Sequence, residues 1–232
     1  MSQFAIVTGG SKGIGKAIVQ RLLQEGISVL TCARNESGLK ELVKDCNAGE
    51  KLLTVPCDLS NDAGRKVFIE FVKDLKRDVD LLVNNTGTFN PGTIADEPEG
   101  SLEQMIDTNL YSAYHLTRAI LPQMIGRESG HIFNMCSTAS ITAYPNGGSY
   151  SISKFALLGF SKGLREELKD KGVKVTAILP GAVYTPSWEG VDLPQERFIK
   201  PEDIADTLWG IYSLSGRANV EEVLVRPQLG DI

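Results

Sequence analysis

Short runs of β-branched and other apolar residues alternate along the chain with longer stretches in which apolar side chains recur every three or four positions. The short runs, at residues 4–8, 28–33, 52–55, 81–84, 131–135, 173–179 and 223–226, predict seven strands. The amphipathic stretches at 17–24, 63–75, 102–124 and 155–168 predict helices that each turn an apolar face inward. Strands that are apolar throughout must be covered on both faces, and the intervening helices supply the cover. The pattern therefore predicts an α/β fold, a doubly wound seven-stranded parallel sheet with helices on both faces. No repeat, low-complexity tract or Pro/Gly/Ser linker divides the 232 residues, so a single domain over 1–232 is expected.

Composition narrows the chemistry. With 42% hydrophobic and 23% charged residues the chain has the balance of an ordinary globular protein. A net charge of -5 argues against a nucleic-acid partner, which would require clustered Lys and Arg. No apolar run is long enough to span a bilayer, no secretion signal precedes Phe4, and the cytoplasm is the expected location. Cys32, Cys46, Cys57 and Cys136 form no C-x-x-C pair and only two histidines accompany them, so free thiols and no metal site are expected.

In such sheets ligands sit beyond the carboxyl ends of the strands. After the first strand comes Thr8-Gly9-Gly10-Ser11-Lys12-Gly13-Ile14-Gly15. Glycines at 9, 13 and 15 let the backbone turn sharply and approach a pyrophosphate, toward which the free N–H groups of the next helix point. At the end of the second strand, where NAD-binding folds carry a carboxylate for the ribose hydroxyls, stand Ala33 and Arg34. Without the acid a 2′-phosphate is not repelled, and Arg34 and Lys12 can hold it, which favours NADP(H) over NAD(H).

Tyr150 and Lys154, four apart on a helix, share a face. A phenol is a poor proton shuttle at neutral pH unless a cation stabilises its phenolate, and Lys154 is expected to do so. Ser137, after the fifth strand, is placed to hold a substrate oxygen while Tyr150 protonates it.

Taken together, the glycine turn, Asp58, Asn84-Asn85-Thr86-Gly87, Asn109, Ser137, Tyr150-x-x-x-Lys154 and Pro180-Gly181 resemble, in order and spacing, the short-chain dehydrogenase/reductase family over almost the whole chain. The resemblance implies a single-domain Rossmann fold and an NADP(H)-dependent oxidoreductase that moves a hydride to or from a small carbonyl or alcohol. It implies a catalytic set of Asn109, Ser137, Tyr150 and Lys154. Tyr150 would be general acid or base, Lys154 would lower its pKa and hold the nicotinamide ribose, and Asn109 would help a water relay protons to Lys154. The implied cofactor site comprises Gly9, Ser11, Lys12, Gly13, Ile14, Gly15, Arg34, Asp58, Leu59, Asn85, Gly87, Tyr150, Lys154, Pro180, Gly181, Val183 and Thr185. Thr86 replaces the family's usual alanine, and Cys136 stands where a second serine is frequent. A homodimer or homotetramer is implied, formed through the helices at 102–124 and 150–168.

The segments 180–188, 200–205, 220–227 and 230–232 are similar to bacterial sepiapterin reductases. Phe89, Tyr144, Tyr184 and Trp188 are expected to wall the substrate site with aromatic faces suited to sepiapterin or an aromatic diketone. Asp231 could bind an amino-pyrimidine edge. Glu189, Asp192 and Glu196 would repel an acidic carrier protein, yet a 3-oxoacyl-[acyl-carrier-protein] reductase shares the scaffold and stays open as the alternative. An NADP(H)-binding redox sensor is the non-enzyme alternative, although it would be expected to have lost Tyr150 or Lys154.

Overall fold

The computed structural model describes residues 3–188 and 190–232. Glu189, counted above among the acids of the loop, lies outside the described residues. Seven strands, β1 (Phe4–Thr8), β2 (Ser28–Ala33), β3 (Leu52–Pro56), β4 (Leu81–Asn84), β5 (Gly130–Met135), β6 (Val173–Pro180) and β7 (Glu222–Val225), form one sheet in the order β3-β2-β1-β4-β5-β6-β7. Every pairing is parallel. The central strands are buried end to end, β1 as Phe4-Ala5-Ile6-Val7-Thr8, which explains why their sequences run apolar without alternation.

Helices cover both faces. On one side α1 (Gly13–Gln24) packs Ala17, Ile18 and Leu22, and α7 (Pro201–Tyr212) packs Ile204 and Leu208, over Val7 and Val83. On the other, α3 (Asp62–Asp74), α5 (Ser112–Gly126) and α6 (Gly148–Leu168) bring Phe68, Leu116, Ile120 and Leu164 over Ile6, Leu30 and Ile132. The helix predicted at 102–124 is not uniform. A regular segment α4 (Ser101–Ile106) leads through one wide π turn at Asp107–Tyr111 into α5, and Asn109 sits in that wide turn. Helix α2 (Glu36–Cys46), not among the predicted stretches, starts where the Asn35 side chain accepts the Ser37 and Gly38 N–H groups at 2.9 and 3.3 Å.

The chain leaves β1 toward β2 on one side and returns with β4 on the other. This reversal opens a crevice at the carboxyl ends of the two strands. Among the described residues no helix is long and apolar enough to cross a membrane, and no three His, Cys, Asp or Glu side chains cluster as metal ligands.

Candidate active site

A cavity of about 1000 Å³ occupies that crevice. Its floor begins at the glycine turn. Gly9 and Gly13 have φ of +72° and +54°, which side chains other than glycine's rarely tolerate. A Cβ on Gly15 would lie 2.2 Å from the Gly9 carbonyl oxygen, so the turn closes only around a bare backbone. Thr8 stitches the turn to the loop after β4, because its hydroxyl accepts the N–H groups of Asn85 and Thr86 at 3.0 and 2.9 Å. The Asn85 amide donates to the Thr8 carbonyl at 2.9 Å. The result is a rigid cradle of backbone amides at a helix start, of the kind that fits a pyrophosphate.

Around this cradle the cavity is lined by Ser11, Lys12, Ile14, Arg34, Asp58, Leu59, Gly87, Pro180, Gly181, Val183 and Thr185, together with Gly9, Gly13, Gly15 and Asn85. Arg34 and Lys12 are exposed, and neither forms an ion pair among the described residues. The Asp58 carboxylate accepts the Ser60 N–H at 3.0 Å, which fixes its orientation beside Leu59.

At the other end Ser137, Tyr150 and Lys154 converge on the same cavity with Phe89, Tyr144 and Trp188. Ser137 caps a short turn after β5, accepting the Ala139 N–H at 3.1 Å, and its hydroxyl pulls the Tyr150 and Tyr144 phenols down against their burial. Phe89 meets Tyr150 edge to face at 4.8 Å. Lys154 is buried and donates to the Met135 carbonyl at 2.7 Å, while burial draws its ammonium down to about 8. Tyr144 is pushed up to about 12, chiefly by burial and next by Tyr150.

One expectation about Tyr150 is corrected. The Lys154 ammonium stands 5.8 Å from the ring centroid with a proton committed to Met135, and burial pushes the Tyr150 phenol above its ordinary value, against the pull of Ser137. These residues alone do not lower it.

Two residues lie off the cavity. Asn109 is buried beneath it with both amide protons committed, one to the Thr88 carbonyl at 3.1 Å and one to the Ser153 hydroxyl at 2.8 Å. Its side chain therefore has no donor left for a relaying water. Tyr184 points away. Val183, at 4% exposure, bridges to Ile199, so the next residue along this extended segment must face outward, and Tyr184 packs on Phe198 at 5.7 Å. Tyr184 lines instead a second, smaller cavity behind Trp188.

Asn35, Thr138, Thr142 and Asn146, not among the residues expected at the site, also line the main cavity. Asn35 had a usable signal, since Asn before a charged amphipathic stretch is a helix-start signature. Thr138 is buried in the short turn that Ser137 caps, and Thr142 and Asn146 sit in the loop that follows, where no periodicity distinguishes a lining residue from a solvated one. Asp231 reaches the cavity wall beside Gly181, but Arg226 holds its Oδ2 at 2.8 Å. A two-pronged hydrogen bond from Asp231 to a ligand would have to displace that guanidinium.

Comparison with known proteins agrees with this architecture. The short chain dehydrogenase family profile matches residues 3–195. An uncharacterised oxidoreductase of Staphylococcus haemolyticus is 36% identical over 225 residues, 96% of each chain. A sepiapterin reductase of Chlorobaculum tepidum is 33% identical over 242 aligned positions, covering 100% of this chain and 99% of that one. A metagenomic short-chain oxidoreductase crystallised with NADP superposes with a TM-score of 0.84 at 32% identity over 97% of both chains. With its parallel sheet, glycine turn and Ser137, Tyr150 and Lys154 on one cavity, the chain belongs to the short-chain dehydrogenase family of oxidoreductases.

Proposed function

We propose that this oxidoreductase uses NADP(H) to reduce a small carbonyl compound, and that sepiapterin or a related aromatic diketone is its substrate class. The observation that carries the reading is one cavity with two chemically distinct ends, a glycine cradle flanked by Arg34 and Lys12 and a hydroxyl cluster at Ser137 and Tyr150. The cradle, Asp58 and Asn85 would hold the dinucleotide, with Arg34 and Lys12 on its 2′-phosphate and Thr185 and Lys154 near its nicotinamide ribose. When bound, the nicotinamide supplies the hydride. Tyr150 delivers the proton to the substrate oxygen, and Ser137 holds that oxygen by a hydrogen bond. As the phenol loses its proton, the nearby Lys154 ammonium stabilises the phenolate that remains.

Phe89, Tyr144 and Trp188 give the substrate end flat aromatic walls, and the likeness to the Chlorobaculum sepiapterin reductase supports an aromatic carbonyl. We also propose assembly as a homodimer or homotetramer. Exposed Tyr111 and Tyr114, flanking the start of α5, and exposed Ile152 and Phe155 on α6 would be covered by a second copy. Light scattering at micromolar concentration checks this, and a monomer refutes it.

The test of function is kcat/KM with NADPH for sepiapterin, 1-phenyl-1,2-propanedione and acetoacetyl thioesters side by side, in wild type and Tyr150→Phe. The two aromatic carbonyls should be reduced faster, and Tyr150→Phe should lose about a hundredfold or more in kcat while still binding NADPH. Faster acetoacetyl reduction would move the assignment to the acyl reductase. Binding of NADPH with no turnover of any carbonyl would favour the redox sensor.

A further inference from the structure

Ser153, between Tyr150 and Lys154 on α6, is fully buried and makes no contact with the cavity. Its hydroxyl does two things at once. It donates to the Tyr150 carbonyl oxygen at 2.7 Å and accepts a proton of the Asn109 amide at 2.8 Å. Asn109 in turn grips the backbone of Thr88 from both sides, its Oδ1 accepting the Thr88 N–H at 2.7 Å and its Nδ2 donating to the Thr88 carbonyl at 3.1 Å. One unbroken chain of hydrogen bonds thus runs from the loop after β4, through the wide turn at Asp107–Tyr111, to the first turn of α6.

The wide turn is what makes the joint reachable. Successive residues of a regular helix are rotated by about 100°, so an ordinary turn with one residue fewer would swing Asn109 away from Ser153. The joint also lies directly under the working end of the site. A Cβ on Gly87 would meet Asn109 Oδ1 at 3.3 Å and Lys154 Nζ at 3.6 Å, so the amide and the ammonium pack against the same point of the cavity floor.

We propose that Ser153 is a positioning residue. By tying Tyr150 to Asn109 it sets the angle of the first turn of α6, and with it the reach of the Tyr150 hydroxyl, relative to the loop after β4. The inference rests on the carbonyl-reductase reading for its kinetic readout only. A serine on a helix often bonds a carbonyl one turn back without consequence. What distinguishes Ser153 is the second bond, which leaves a buried amide proton unpaired when the hydroxyl is removed.

The experiment compares wild type with Ser153→Ala, Ser153→Cys and Ser153→Thr in four measurements: kcat with NADPH, NADPH Kd by fluorescence, the pH profile of kcat, and hydrogen exchange by mass spectrometry. Misplacing a reacting group by a fraction of an ångström is expected to lower kcat of Ser153→Ala about tenfold and to move the profile by about half a pH unit, with NADPH Kd unchanged within about threefold. Ser153→Cys, of similar size but a weak hydrogen-bonder, should behave like Ser153→Ala, and Ser153→Thr should recover most of the rate. Faster exchange should be confined to peptides covering 107–111 and 148–154. If Ser153→Ala keeps kcat and pH profile, or if all three variants lose rate and NADPH affinity in proportion, Ser153 only fills space and the proposal fails. If wild type turns over no carbonyl, the functional reading fails, while the exchange pattern still decides whether the joint exists.

Discussion

The glycine turn gives a sharp quantitative test through Gly15→Ala. The added methyl carbon would lie 2.2 Å from the Gly9 oxygen, 2.5 Å from Asn85 Nδ2 and 2.9 Å from the Gly9 carbonyl carbon. None of these can step aside cheaply, because Asn85 Nδ2 is bonded to the Thr8 carbonyl and the Gly9 N–H to Cys32 O at 2.9 Å. Comfortable contacts begin more than an ångström further out, so the turn must shift by about 1 Å. Overpacking of that kind costs roughly 1–3 kcal/mol of stability. The larger effect falls on the cofactor. An amide–phosphate hydrogen bond contributes about 1.5–3 kcal/mol, so losing one raises the NADPH Kd by roughly 10- to 100-fold. Tyr150, Lys154 and Ser137 do not touch Gly15, so kcat at saturating NADPH should change little. Fluorescence titration gives Kd, and thermal unfolding with and without NADPH separates the stability loss from the affinity loss. Gly26→Ala is the control. Gly26 also has a positive φ, +82°, but nothing within 4 Å, so it should lose about 1 kcal/mol from backbone strain and keep its Kd. A Gly15→Ala protein that binds NADPH within about twofold of wild type would refute the phosphate-cradle reasoning.

Three further outcomes are expected. Arg34→Asp combined with Lys12→Ala should weaken NADPH by about tenfold or more while sparing NADH, and equal losses for both cofactors would show that these cations do not read the 2′-phosphate. His131 is buried against Thr176 at 2.8 Å, and burial pulls its pKa from 6.5 to about 3, so the unfolded chain binds a proton that the folded chain refuses between those values. Its contribution is whole above pH 6.5 and is lost as pH falls toward 3, by up to about 5 kcal/mol, so urea midpoints of wild type should fall more steeply over that interval than those of His131→Asn; parallel slopes would contradict this. Cys57, half-buried on the cavity wall with its pKa lowered by the Cys32 thiol, should be alkylated by iodoacetamide and protected by NADPH, whereas Cys46, off the cavity, should react at the same rate with or without it.

The strands were legible because each is short and those inside the sheet are buried and uninterrupted, while the edge strand β7 is largely exposed. β1, β2 and β4 have the bounds that hydrophobicity predicts, and the other four differ by a residue at one or both ends. Helix α2 was not legible, since only Leu39 and Leu42 are buried among its charges and two positions make no periodic signal. The wide turn at Asp107–Tyr111 was invisible for a different reason. One extra residue in a helix changes which way Asn109 faces without changing the apolar content around it. The residues brought to the cavity were mostly readable because glycines and strand ends have few alternative uses. Tyr184 was not, because its direction depends on the Val183–Ile199 bridge, a contact between segments that only the fold creates. The Tyr150 phenol follows the same logic, since spacing reveals a nearby lysine but not that both side chains are buried, with the ammonium donating to the Met135 carbonyl.

The reversal of the sheet at β1 also bears on how the molecule is made. β1 is the first strand in the chain, yet it lies inside the sheet, with β2 on one flank and β4 on the other. Its partner Ser28 follows Phe4 closely, but the partners on the other flank, Leu81 to Val83, come more than seventy residues later, and pairing at such separation is slow because a long loop must be closed first. Until then β1 is an open edge. The Thr8 hydroxyl that anchors Asn85 and Thr86 has nothing to hold, so the glycine turn exists without the wall it leans on. A dinucleotide that needs both sides of the crevice binds only after this closure, and ligand-dependent protection during refolding would therefore time the joining of the two halves rather than the formation of either.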